Sequence, residues 1–177
     1  MALGMGDLIT VVEYDPRWPA LYEEEKARIT GAIGSVTVAI EHVGSTAVPG
    51  LGAKPIIDIM VGIREFALGV SCVEPLASLG YEHRPDDNIP GRLFFRRFDN
   101  KVRTHNLHVT EMGSDFWERH LLFRDYLKAH SEEARRYHEL KEALAATYRS
   151  DRAGYTEAKT PFIEGAVAQA RARRAAG

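Results

Sequence analysis

Apolar and polar positions change period several times along this chain, and each change marks an element. Between Trp18 and Ile33, the residues Trp18, Leu21, Tyr22, Ile29 and Ile33 recur near helical spacing, while Glu23, Glu24, Glu25, Lys26 and Arg28 fill the opposite side. This predicts an amphipathic helix with a solvated acidic face. From Val36 to Val43 the period falls to two. Val36, Val38, Ile40 and His42 share one side, and Thr37, Ala39, Glu41 and Val43 the other, as in a strand. Pro55 to Ile63 is apolar on both sides apart from Asp58. That is the pattern of a central strand covered on both faces.

The remaining segments complete the order. Val11–Tyr14 reads as a short edge strand ended by Asp15-Pro16, and Gly44–Lys54 as a turn or one short helix. Phe66–Leu79 predicts a helix that starts late or bends at Pro75. Residues 80–90 begin as a strand and become a polar loop. Arg92–Phe98 and Arg103–Thr110 flank a four-residue turn and predict an antiparallel hairpin. Ser114 is placed to cap a helix running to about Ala129, Ser131 to cap another near Glu132–Tyr148, and Thr160-Pro161 to open a last helix. The sum is an α+β chain: a mixed β-sheet with flanking helices and a helical C-terminal third. At 177 residues it predicts a single domain over residues 1–177, with 1–10 a flexible arm and 165–177 the tail of the last helix.

Composition narrows the class. A hydrophobic share of 45% suffices for a packed core and argues against global disorder. A formal net charge of -2 gives no bulk attraction to nucleic acid, so no strong nucleic-acid signal is present. The single cysteine, Cys72, excludes an intrachain disulfide and fits a reducing compartment. The opening MALGMGDLIT has neither the basic nor the apolar region of a secretory leader, and no run approaches the roughly 18 apolar residues of a membrane helix. The expectation is a cytoplasmic protein with no membrane partner.

Candidate chemistry concentrates in HVGSTAVPGLGAKPIIDIM, His42 to Met60. It is glycine-rich, yet a Walker loop from Gly44 would need glycine where Pro49 stands. The dinucleotide fingerprint from Gly50 would need glycine where Pro55 stands. A strand, a Gly-Ser turn, a short connection and a second strand bearing an acid instead resemble the signature of the nucleotidyltransferase superfamily with the polymerase-beta-type fold. In such an arrangement the turn's N–H groups and hydroxyl can hold terminal phosphates. Two carboxylates two residues apart on a strand point the same way and can hold metal ions. Gly44, Ser45 and Asp58 match that signature; the second acidic position is Met60, a poor ligand for Mg²⁺.

The same stretch, together with HNLHV (His105–Val109) and YTEAKTPFI (Tyr155–Ile163), resembles the GrpB-like family over roughly Ile9–Ile163. The resemblance implies a nucleotidyltransferase-type sheet. Fusion of some members to dephospho-CoA kinase makes nucleotides or coenzyme-A precursors reasonable small-molecule ligands. The residues themselves, with the resemblance beside them, give the candidate set. Gly44, Ser45, Lys54, Arg92, Tyr155 and Lys159 are candidates for nucleotide or phosphate. Asp58, His42 and His108 are candidates for Mg²⁺ or Mn²⁺ carrying a nucleoside triphosphate. Asp58 and His108 are candidates for catalysis, His108 in place of a third acid on a late strand. Against these stand plainer readings: Asp58 paired with Lys54, His42 bonded in the core, Tyr155 packed, and Arg92 on the surface. Two functions follow, nucleotidyl transfer to an unidentified acceptor and a degenerate nucleotide- or coenzyme-precursor-binding module.

Overall fold

A computed structural model describes residues 8–87 and 89–176. The first seven residues of the expected arm lie outside the described residues. Its described end is not loose: Ile9 is buried and its N–H donates to the Arg149 carbonyl at 2.8 Å. Val11–Tyr14 does not form the expected strand; it makes one isolated bridge, Val12 with Ala53.

Helix α1 spans Trp18–Ile33 and strand β1 Thr37–Val43; a 3₁₀ turn, Ser45–Ala47, leads on to β2, Ile57–Ile63. Phe66–Cys72 is 3₁₀, and only Val73–Ser78 is α-helical (α2), so the helix starts late as its sequence suggests. Then come β3 (Tyr81–His83), β4 (Arg92–Asp99) and β5 (Val102–Glu111). Four helices close the chain: α3 (Asp115–Ala129), α4 (Ser131–Tyr148), α5 (Arg152–Ala158) and α6 (Thr160–Ala176). Helix α5 has no counterpart in the sequence reading. Ser114 caps α3, accepting from the Trp117 N–H, whereas Ser131 lies inside α4 and His130 precedes it. No helix among the described residues is long and apolar enough to cross a membrane.

The sheet order is β1-β2-β5-β4-β3. β2 and β5 run parallel; the other pairs are antiparallel. The mixed sheet is therefore as expected, with β2 interior and closed on both sides. One face carries Ile59, Ile63, Phe95 and Leu107, all fully buried against Ile29 and Ile33 of α1 and Leu76 of α2. Side chains of this size contribute roughly 1.5–3 kcal/mol each when buried. The acidic face of α1 is not wholly solvated. Glu25 is buried, taking Arg28 at 2.7 Å, Arg97 at 2.6 Å and the Tyr81 hydroxyl at 3.0 Å. Leu21, expected in the core, is exposed instead.

On the opposite face α3 lies across β2. A Cβ on Gly62 would sit 2.8 Å from the Trp117 ring, so the bare glycine lets the indole reach the strand. Met60 is completely buried with Val43 and Trp117. The C-terminal helices form a second core around Phe123, Leu127, Tyr137, Ala166 and Val167, and Val48 and Leu51 insert into it. Those two residues come from the connection after the Gly44 turn. That connection is thereby clamped between the sheet and the helical third.

Candidate functional site

Asp58 lies near the start of β2, beside that clamped turn, and is only half-buried. It is paired in register with Val43 on one side and Asn106 on the other. Paired residues share a face, and Asn106 Nδ2 donates to Asp58 Oδ1 at 2.8 Å. Gly44 sits directly against the carboxylate: a Cβ there would be 2.7 Å from Asp58 Oδ2. Gly44 has φ 73° and ψ -173°, a conformation open essentially to glycine alone. The glycine of the Gly-Ser pair is thus required by close approach to the acid as well as by the turn. Ser45 is held by the hydroxyl of Tyr137 from α4.

Cations surround this carboxylate. Burial raises the Asp58 pKa, opposed by Asn106 and by the charges of Lys54, Lys159 and Arg103. Lys54 and Lys159 both place their ammonium over the ring of Tyr155, at 4.7 and 4.4 Å from its centroid. Tyr155 is almost fully buried, and burial pushes its hydroxyl up to about 12. Its ring is therefore a platform that positions two lysines, not a surface for a base. Lys141, from α4, is buried with its ammonium bonded to the Gly52 carbonyl. Arg103 Nη1 reaches Asn106 Oδ1 at 3.5 Å.

The lysines are depressed. Burial foremost, with Lys159 adding repulsion, brings Lys54 down to about 8; burial, Lys159 and Lys54 bring Lys141 to about 7. Both lie below the ordinary lysine value of 10.5. Above 10.5 neither state is charged; as pH falls from there, the unfolded chain takes up these protons before the folded one. The stability is lost as pH falls through the folded values. The ligand-free melting temperature is therefore expected to rise between pH 7 and 10. Anion binding needs the protonated lysines and is expected to fall over the same window, about tenfold between pH 7 and 9 for one linked proton. Melts and calorimetric titrations with nucleotide across that range check the opposed slopes; parallel slopes would rule out the lysines as ligands.

The histidines are not where the sequence reading put them. His42 pairs with Ile59, one residue from Asp58, and so lies on the opposite face of the sheet. There it stacks on Tyr22 at 4.7 Å and bonds Thr46 Oγ1 at 2.9 Å, and burial brings its pKa to about 4. His108 shares Asp58's face but pairs with Met60, two residues along. It packs among Phe94, Phe116 and His120, and burial keeps it neutral. The register opposite Asp58 belongs to Asn106. Arg92 also falls outside: it pairs with Thr110 and bonds the Asp87 carboxylate and carbonyl, fixing the loop before β4.

The donor set does not fit a pair of divalent metal ions. Such ions want several carboxylate oxygens. Here one carboxylate has an oxygen committed to an amide and stands among cations. The neighbouring acid position is Met60, sealed under Trp117. Glu41, in register with Met60, is tied to Arg124 at 2.6 Å. Among the described residues no group of three His, Cys, Asp or Glu side chains could hold a metal.

Sequence reasoning missed Arg103, Lys141 and Tyr137, and saw Asn106 only as a neighbour of His108. Arg97 pairs with His105 and Phe98 with Arg103, so β5 carries one extra residue, Thr104. This bulge breaks strict alternation and brings Arg103 onto the face of Asn106. Nothing in the sequence announces it. For Asn106 the signal was available: HNLHV carries its amide on the same parity as His108.

Known proteins resemble this chain in sequence and in fold. The GrpB protein family profile matches residues 8–169. The chain belongs to the GrpB family. The UPF0157 protein YqkA of Bacillus subtilis is 37% identical over 163 residues, covering 92% of this chain and 47% of that protein. The glutamate-rich protein GrpB of Alkalihalophilus pseudofirmus is 36% identical over 168 residues, covering 93% and 96%. The chain thus spans about half of the first relative and nearly all of the second. The dephospho-CoA kinase of Mycolicibacterium paratuberculosis is 29% identical over 190 residues, covering 92% of this chain and 46% of the kinase. Among solved structures, the conserved protein GrpB from Enterococcus faecalis superposes with a TM-score of 0.84 at 32% identity, over 93% of this chain and 99% of that one. The Cid1 poly(U) polymerase bound to Mg 3′-dATP gives 0.53 at 12% identity, over 77% of this chain and 43% of that one. At that identity the likeness is one of fold, and the GrpB-family sheet is of the nucleotidyltransferase type.

Proposed function

We propose that this GrpB-family chain is a nucleotide-binding module whose cation cluster at Asp58 holds phosphate directly with lysine and arginine. The observation that carries the reading is the charge count at Asp58: one carboxylate, acted on by Lys54, Lys159 and Arg103. An ordinary metal-dependent transferase site has the reverse balance, with acids gathered to hold cations. Like charges held together in a half-buried cluster repel one another, and a phosphate relieves that repulsion. A neighbour in fold and a relative in sequence support the ligand class. Cid1 is seen with a nucleotide, and a dephospho-CoA kinase contains a homologous segment, so a nucleotide or a coenzyme precursor suits the cluster.

A second reading, nucleotidyl transfer, is favoured by one observation: the Gly44-Ser45 turn lies against Asp58 as the transferase signature requires. The two are separated by titrating nucleoside mono-, di- and triphosphates in excess EDTA and then in Mg²⁺ or Mn²⁺. The module binds without metal, and Lys159→Gln weakens binding about tenfold, the loss of one charged contact worth about 1.4 kcal/mol. Binding that needs metal, with a nucleotidyl product on any acceptor, would establish the transferase instead.

A further inference from the structure

We propose that an arginine cluster beside the lysine cluster is a second phosphoryl subsite, so that the ligand carries two phosphate groups separated by a spacer. The inference rests on the lysine cluster holding phosphate. The arginine cluster is Arg84, Arg96 and Arg103, with Arg152 at the start of α5 nearby. Arg96 is in register with Asn106, the partner of Asp58, and so shares its face. The bulge at Thr104 adds Arg103 to that face. Arg84 follows β3, and its N–H donates to the Phe94 carbonyl at 2.8 Å.

Three features mark the cluster as built for an anion. The Nε atoms of Arg84, Arg96 and Arg103, like that of Arg92 on the same face, are buried with no hydrogen-bond partner among the described residues. A buried donor left unmade is costly, and native proteins rarely leave so many together. The nearby acids are too few: Arg84 takes Asp86 at 2.9 Å, while Arg96 reaches Asp87 only at 3.5 Å, and Arg92 already engages Asp87. The guanidiniums also repel one another. Burial foremost, then Arg96, Arg152 and Arg84, depress Arg103; burial, then Arg84 and Arg152, depress Arg96. Forked guanidiniums match phosphate oxygens in geometry as well as charge.

Position gives the ligand class. Asp58 on β2 and Arg96 on β4 are separated by β5, so their Cα atoms stand about 10 Å apart at ordinary strand spacing. Arg103 bridges the two groups, acting on both Asp58 and Arg96. A phosphate at each end of a sugar, as in a nucleoside 3′,5′-bisphosphate, satisfies both sets.

The test uses the full chain in EDTA and calorimetric titration with 5′-monophosphates and 3′,5′-bisphosphates of adenosine and uridine, and with ATP. The wild type is expected to bind a bisphosphate at least tenfold more tightly than the matching monophosphate. Arg96→Gln should erase that ratio and leave monophosphate affinity within twofold. Arg84→Gln, further from Asp58, should do the same and guards against misfolding of the first variant; thermal melts check both. Lys159→Gln should weaken both ligand types together. Monophosphate binding with no gain from the second phosphate overturns this inference alone. So does an Arg96-dependent gain for ATP that exceeds the gain for the bisphosphate. Failure of every probe to bind sinks the lysine reading with it.

Discussion

Replacing Asp58 by Asn is expected to tighten nucleotide binding about tenfold. The carboxylate is the one negative group among the cations of the cluster, and its charge works against an incoming phosphate. A unit charge about 6 Å from a phosphate charge, at an effective dielectric near 20, repels by about 3 kcal/mol. Solvent screening at this partly exposed site takes roughly half of that, leaving about 1.4 kcal/mol, or tenfold. The amide keeps the acceptor oxygen that Asn106 uses. Fold loss therefore does not confuse the result. Titration in EDTA at pH 6, where Lys54 stays protonated after losing the carboxylate that supports its charge, reads the change. A transferase would show the opposite sign, because Asp58 would be its metal ligand. Weaker binding by Asp58→Asn would therefore remove the phosphate-module reading.

Gly44→Ala is expected to lower the melting temperature by about 6–12 °C. Two costs combine. An alanine at φ 73° and ψ -173° costs about 1–3 kcal/mol of backbone strain. Its Cβ would also stand 2.7 Å from Asp58 Oδ2 and 3.2 Å from Asp58 Cβ, so the acid must leave Asn106 or the turn must shift. A total near 3 kcal/mol corresponds to that temperature change in a protein of about this size, at roughly 2–4 °C per kcal/mol. Gly50→Ala is the control. Gly50 also has positive φ, at 78°, but a Cβ there meets nothing within 4 Å. It should lose only about 2–4 °C, the strain without the collision. Equal losses at the two glycines would show that the close approach to Asp58 contributes nothing.

Much of the scaffold was legible because burial imposes period. The doubly apolar β2 and the hairpin β4–β5 were readable, since a strand must place its apolar residues on a covered face; β1 was readable as a strand, but its register shifts between Thr37 and Ala39, Val38 is exposed and Val43 is buried. The misses have local causes. Glu25 reads as solvent-facing by composition, and only the arrival of Arg97 from a distant strand permits its burial. Helix α5 is short and follows Arg149 in a left-handed conformation, a break that periodicity does not register.

In the site, the sequence by itself determined the Gly44-Ser45 turn, the lone Asp58 and the absence of a second acid at Met60. Spacing along one strand and one turn is local, and local geometry is fixed by the chain. Which residues meet Asp58 was decided only by tertiary structure. Strand register chose Asn106 over His108 and sent His42 to the far face. A one-residue bulge turned Arg103 inward, and the docking of the C-terminal helices brought Lys159 to a carboxylate far away in sequence and Lys141 to the Gly52 carbonyl. Register, bulges and helix docking depend on pairing partners that no single segment carries. The sequence therefore shows an acid awaiting cations of unknown kind, and the folded chain supplies them from its own lysines and arginines.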